Sequence, residues 1–137
     1  DPESRHFLER IHGSALDLTA LINETLDLAR LRIGALQMIT TRVDVAQLVR
    51  DVVDGLQHMA QRQSLALSAD IAPGDLQMET DPVRLRQIVT NLVHNALKFT
   101  VEGTVKVCVA GNAEQIEIDV RDTGIGIAAD ELGSIFQ

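Results

Sequence analysis

The chain has 137 residues, enough for one compact domain and an appendage. With 20 acidic against 12 basic residues, its formal net charge of −8 disfavours non-specific attachment to nucleic acid or anionic lipid. Aromatic residues make up only 2%, with no Trp and no Tyr, so the core must be aliphatic and base-stacking platforms are nearly absent. The single cysteine, Cys108, excludes an intrachain disulfide and a cysteine-rich zinc site. It lies in the apolar run Val105 to Val109 and reads as an inert strand residue. No run of about 18 apolar residues and no signal-peptide pattern is present. The segment reads as soluble, with a membrane anchor left open for a longer parent protein.

In chain order, Asp1-Pro2 is a helix start, a capping carboxylate followed by a proline suited to the first turn. Leu8, Ile11, Ala15, Leu18, Ile22, Thr25 and Ala29 then recur in steps of three and four, a heptad-like seam widened by Leu21 and Leu28. A helix from Pro2 to Ile33 would extend roughly 45–50 Å at about 1.5 Å per residue. Such a rod needs partner helices, most simply another copy of itself, and Gly34 is its natural stop. Leu36 to Val43 reads as a short strand or extended connector. Asp44 caps a second amphipathic helix that turns Leu48, Val49, Val52, Val53, Leu56 and Met59 to a core. Leu65, Leu67, Ala69 and Ile71 alternate as a strand. Pro73-Gly74-Asp75 turns the chain, and Leu76, Met78 and Thr80 begin another strand. Asp81-Pro82 opens a third helix, ending near Lys98, with Leu85, Ile88, Leu92 and Ala96 as its expected buried stripe. Strands over Thr104 to Ala110 and Glu114 to Arg121 follow, joined through a tight turn at Gly111-Asn112. Their apolar face comprises Val105, Val107, Val109, Ile116, Ile118 and Val120. Ala128 to Gln137 reads as a short helix. The expected fold is α+β, a two-layer sandwich with helices on one face of a mixed sheet, preceded by a long N-terminal helix.

Two constellations carry chemistry. On the third helix Asn91, Asn95 and Lys98 share one face. Carboxamide oxygens suit a magnesium ion that takes the rest of its shell from phosphates and water, and a lysine meets a phosphate as a point charge. Spacing alone favours an exposed polar face making local hydrogen bonds. The second is Asp122-Thr-Gly-Ile-Gly-Ile127, running from a strand end into a glycine-containing loop whose backbone can approach a ligand closely. An Asp there can accept a hydrogen bond from the exocyclic amine of adenine. A lone Gly-x-Gly is weak, and neither the dinucleotide fingerprint nor a Gly-x-x-x-x-Gly-Lys phosphate loop is present.

Asn91-Leu-Val-His-Asn-Ala-Leu-Lys-Phe-Thr100 resembles the N box of bacterial sensor histidine kinases of two-component systems. Asp122-Thr-Gly-Ile-Gly-Ile127 resembles their first glycine box, and Ile135-Phe136 the start of their F box. Thr80-Asp-Pro-Val-Arg-Leu-Arg-Gln-Ile88 resembles the approach to the N box. Leu21-Ile-Asn-Glu-Thr-Leu-Asp-Leu-Ala29, followed by Gly34, resembles the second helix of the dimerisation and histidine-phosphotransfer hairpin. The resemblance covers essentially the whole chain in the right order. It implies that residues 1–35 are that helix and that 36–137 are the ATP-binding catalytic domain. ATP and Mg²⁺ are the implied cofactors. Asn95 is the implied magnesium ligand, Asn91 a neighbouring polar contact and Lys98 a phosphate contact. Phe99 packs by the adenine, Asp122 binds its amino group, Gly124 and Gly126 shape the pocket wall and the base of a mobile lid, and Thr123 braces the loop. His94 is left unassigned, as a solvent-facing residue.

The resemblance also implies a phosphoryl acceptor histidine in a His-Glu-type box. Of the four histidines, His58 and His94 lie outside the bundle helix, and neither His6 nor His12 fits that box. No catalytic residue is therefore assigned, and the acceptor helix and second glycine box are expected to belong to a longer parent, with this stretch inactive alone and at most a weak nucleotide binder. The implied partners are a second copy through the helical hairpin and a response-regulator receiver domain, with no nucleic acid and no direct membrane contact. The implied location is the cytoplasm, with an inner-membrane anchor open for the parent. Gyrase-, chaperone- and mismatch-repair-type ATPases share the fold but carry Glu where this chain has Asn91. A catalytically inactive dimeric scaffold or binding module of the same fold is the remaining alternative. The signal sensed and the cognate regulator are not legible.

Overall fold

A computed structural model describes residues 1–32, 34, 37–112 and 114–135. The elements are α1 (Pro2–Arg32), β1 (Thr41–Asp44), α2 (Val45–Arg62), β2 (Ala66–Ile71), β3 (Gln77–Thr80), α3 (Pro82–Phe99), β4 (Thr104–Gly111) and β5 (Ile116–Asp122). They fall into two compact units, 1–38 and 39–137.

The first unit is α1. Asp1 Oδ1 accepts the Glu3 N–H at 3.0 Å, as expected of a capping carboxylate. Gly34 adopts a left-handed φ of 66° and donates its N–H to Leu31 O, which closes the last turn. Leu8, Ile11, Leu18, Leu21, Ile22 and Leu28 are all exposed, so the apolar stripe along the helix is uncovered in the single chain. The expected helix end at Ile33 and connector start at Leu36 lie outside the described residues.

In the second unit the strands form two sheets rather than one. β1 pairs antiparallel with β3, and a mixed three-stranded sheet has the order β2-β4-β5, parallel then antiparallel. Val105, Val107 and Val109 point from β4 into the core, fully buried, while Lys106 and Ala110 face outward. Against that valine row pack Val45, Leu48, Val49, Val52 and Val53 of α2, with Leu56 and Met59 partly buried beside them. Asp44 caps α2 by accepting the Gln47 N–H at 2.9 Å.

Three expectations need correction. The buried face of α3 is Val89, Val93, Ala96 and Leu97, with Leu85 partly buried, whereas Ile88 and Leu92 are exposed. At 3.6 residues per turn the core stripe is thus turned by roughly 60° from the expected one. The β4–β5 connection spans residues 112–115 rather than a tight turn at Gly111-Asn112, because Gly111 is still in β4 and β5 begins only at Ile116. Gly111, at φ 146°, pairs with Ile116, and Asn112 Oδ1 accepts the N–H groups of Glu114 and Gln115. The segment from Ala128 forms turns, with Glu131 and Leu132 both bonding to Ala128 O, instead of a regular helix. Leu132 and Ile135 are exposed there, and a segment this short lacks the tertiary packing that stabilises a helix. Phe136 and Gln137 lie outside the described residues.

Asp81 fixes the start of α3. Only 5% exposed, it accepts Val83 and Arg84 N–H on Oδ1 and Ile39 N–H on Oδ2. The amides of Ile39, then Arg84 and Val83, hold its carboxyl below the ordinary value of 3.8, against the opposing effect of burial. A depressed folded pKa adds stability that is present above the unfolded value and lost as the pH falls through the folded one. The stability gap between wild type and Asp81→Asn in urea titrations should therefore be constant near neutrality and narrow on acidification below 3.8. The core assignment makes a second prediction. Leu97→Ala should cost about 2–5 kcal/mol of unfolding free energy, while Leu92→Ala on the exposed face should cost far less.

Candidate nucleotide site

The rotation of α3 decides what the site can be. With Val89, Val93 and Leu97 turned inward, Asn91, Asn95, Lys98 and Phe99 all emerge on the exposed side. Among the described residues neither Asn91 nor Asn95 has a hydrogen-bond partner for its carboxamide, so both are available to a ligand. Lys98 Nζ lies 5.4 Å from the centroid of the Phe99 ring, a cation–π distance. His94 is half-buried between the asparagines.

The glycine loop is joined to the end of this helix. Ile125 N–H donates to Phe99 O at 3.3 Å, and a Cβ on Gly124 would stand 2.5 Å from that same carbonyl oxygen. Only a residue without a side chain allows this approach. Gly124 N–H also donates to Asp122 Oδ1 at 2.8 Å, which orients the carboxylate. Asp122 is exposed, and its Oδ2 is left for a ligand donor. Gly126, at φ 71°, adopts the left-handed conformation with open space around it.

Thr123 serves the loop itself. Its Oγ1 accepts the Thr104 N–H at 3.1 Å and donates to Glu102 O, while its own N–H reaches Thr104 O. Gly103 was not singled out from the sequence. At φ 114° it lies where any Cβ would collide with Thr123 Oγ1. Its only sequence signal is a glycine between the end of a helix and a strand. Thr100, also missed, is buried and closes α3 through Oγ1 to Ala96 O at 2.7 Å.

The structure thus brings Phe99, Asp122, Thr123 and Gly124 together at one junction, with Asn91, Asn95 and Lys98 running back from it along α3. Around that junction Val101, Ile125 and Ile127 are exposed apolar residues. A separate open groove lined by Asp44, Arg50, Ile71, Pro73, Asp75 and Gln77 contains none of the expected site residues. No group of three or more His, Cys, Asp or Glu side chains among the described residues could hold a metal. Nor, among them, is any helix long and apolar enough to cross a membrane.

A polar helix face therefore abuts an Asp-x-Gly-x-Gly loop at the end of α3. Residues 80–137 match the family described as histidine kinase-, DNA gyrase B-, and HSP90-like ATPase. Across 99% of its length the chain is 37% identical to the signal transduction histidine-protein kinase BarA of Escherichia coli (strain K12). It is 36% identical, again over 99%, to the sensor protein GacS of Pseudomonas syringae pv. syringae. It spans 16% of the length of each of these proteins. Among solved structures, full-length ShkA in complex with AMPPNP superposes with a TM-score of 0.80 at 29% identity, over 98% of this chain and 29% of that one. Residues 80–137 therefore carry an ATP-binding domain of the histidine-kinase type, within a stretch that is similar to sensor histidine kinases over nearly its whole length.

Two substitutions separate close approach from backbone conformation. Gly124→Ala should displace the loop from the Phe99 carbonyl and cost about 1–3 kcal/mol as an overpacked contact. Gly126→Ala meets no neighbour and should cost about 1–2 kcal/mol from left-handed strain alone. Hydrogen exchange should then show a faster Ile125 amide in the first variant and an unchanged one in the second.

Proposed function

We propose that Asn91, Asn95, Lys98, Phe99, Asp122, Gly124 and Gly126 bind magnesium ATP, and that the parent protein transfers the γ-phosphoryl group to a histidine for relay to a response-regulator aspartate. The observation that carries this reading is the contact between Gly124 and the Phe99 carbonyl, which joins the polar helix face to the Asp122 loop. Asp122 Oδ2 accepts a hydrogen bond from the adenine amino group, and Phe99 packs on the base. Thr123 acts indirectly, by bracing the loop against the 102–104 turn. Lys98 meets a phosphate oxygen, and Asn95, with Asn91 beside it, offers a carboxamide oxygen to the metal. A bound Mg²⁺ would neutralise charge on the β- and γ-phosphates, taking the rest of its shell from phosphate oxygens and water.

Positioning and electrostatics supply most of the catalysis in phosphoryl transfer. The bond from the β–γ bridging oxygen to the γ-phosphorus breaks as an imidazole nitrogen bonds to that phosphorus. ADP leaves, and the imidazole ring gives up its N–H proton. None of His6, His12, His58 and His94 stands in a His-Glu box, so the acceptor is supplied by the parent. Residues 1–35 act as the second helix of the dimerisation and phosphotransfer hairpin, and 36–137 as the catalytic domain. The uncovered stripe of α1 supports a homodimer built through that hairpin. A receiver domain is the phosphoryl acceptor partner, and the domain works on the cytoplasmic side of any membrane that anchors the parent.

Titration of the chain with magnesium ATP, followed by amide chemical shifts, should give saturable changes clustered at residues 91–99 and 122–126. Asn95→Ala and Asp122→Ala should each weaken binding about tenfold or more, the scale of one lost hydrogen bond to a charged or metal-bound group. Shifts confined to the groove at Ile71–Gln77, or unaffected by either substitution, would contradict the reading. Incubation with γ-labelled ATP should leave no phosphohistidine on this chain, and detection of one would place the acceptor among its own four histidines.

A further inference from the structure

The three hydrogen bonds to Asp81 come from two different places in the chain. Val83 and Arg84 belong to the first turn of α3, and their amides meet Oδ1 at 3.0 and 3.1 Å. Ile39 is the first residue of the second unit, and its amide meets Oδ2 at 2.9 Å. The β1–β3 register explains why a side chain is needed. Thr41 pairs with Thr80, so continuing the ladder would set Ile39 opposite Pro82, where the chain has already turned into α3. The Asp81 carboxylate stands in for the missing strand carbonyl and adds one rung. Gln37, Met38, Ile39 and Thr40 are all exposed and belong to no regular element. Apolar burial therefore does little to hold this stretch, and a charge-assisted hydrogen bond is its observed attachment.

We propose that Asp81 is a positioning residue that clamps the chain, where it arrives from α1, to the first turn of the helix that carries Asn91, Asn95 and Lys98. The clamp sets the domain-side end of the joint between the two units at Ile39. Losing it would free Ile39 and Thr40, up to the start of β1, which adds roughly 7 Å of reach. In a kinase whose nucleotide and acceptor sit on separate units, that reach governs how often they meet; this consequence rests on the proposed function, but the clamp itself does not.

The two halves of the contact are chemically separable. In Asp81→Asn one oxygen becomes an NH₂ group. The oxygen that remains can cap Val83 and Arg84, but the amide then presents a donor to the Ile39 N–H. Asp81→Ser retains one hydroxyl for the cap and has no second oxygen for Ile39. Native-state hydrogen exchange should show the Ile39 amide about tenfold or more faster in both variants, with Arg84 exchange and the magnesium ATP titration changed by less than about twofold. Equal acceleration of Ile39 and Arg84 would overturn the proposal, because Asp81 would then be only a helix cap. Unchanged Ile39 exchange in both variants would overturn it as well. A chain that fails to bind nucleotide yet shows the selective Ile39 effect retains the clamp and refutes only the nucleotide reading.

Discussion

Burial of the Val89–Val93–Leu97 face of α3 is the constraint on which the rest of the domain depends. Those residues close the core above the valines of β4, and their removal from water supplies the main drive for seating the helix. Once they are inside, the helix has no freedom to rotate. Asn91, Asn95, Lys98 and Phe99 must then lie outside, and the Phe99 carbonyl must present itself to the loop that follows β5. The site is in this sense the outer face of a core helix. Its geometry is set by groups that no ligand touches.

Both ends of α3 are also closed by side-chain hydrogen bonds. Asp81 gathers three amides at the start, and Thr100 returns its hydroxyl to Ala96 O at the end. The loop past β5 is held by a similar economy of polar contacts. Thr123 locks it to the 102–104 turn, and Gly124 sits against backbone where no Cβ fits. Downstream of Gly126, Glu131 and Leu132 bond to Ala128 O and Ser134 to Glu131 O, in exposed turns.

Much of this order was legible because it is written in local signals. Asp44 and Asp81 announce their helices, Gly34 ends the first one, and strict alternation marks β4 and β5. The misreadings share one physical origin, which is tertiary context. Ile88 and Leu92 are as apolar as Val89 and Val93, so α3 carries an apolar arc wider than its core can cover. Composition cannot say which edge of that arc goes in. Gly103 was invisible for the same reason, since its necessity comes from Thr123, twenty residues away. The final segment has helical spacing, but its described apolar residues, Leu132 and Ile135, are exposed. The pairing of Asn91–Lys98 with the Asp122 loop became legible only through resemblance, because neither half is specific alone.

The most direct measurement of the central claim is a crystal structure of the chain with Mg²⁺ and a non-hydrolysable ATP analogue. The account predicts the adenine amino group within hydrogen-bond distance of Asp122 Oδ2, the phosphates beside Lys98, and the metal on the Asn95 carboxamide oxygen. A nucleotide lodged elsewhere on the domain, or one whose base makes no contact with Asp122, would contradict it.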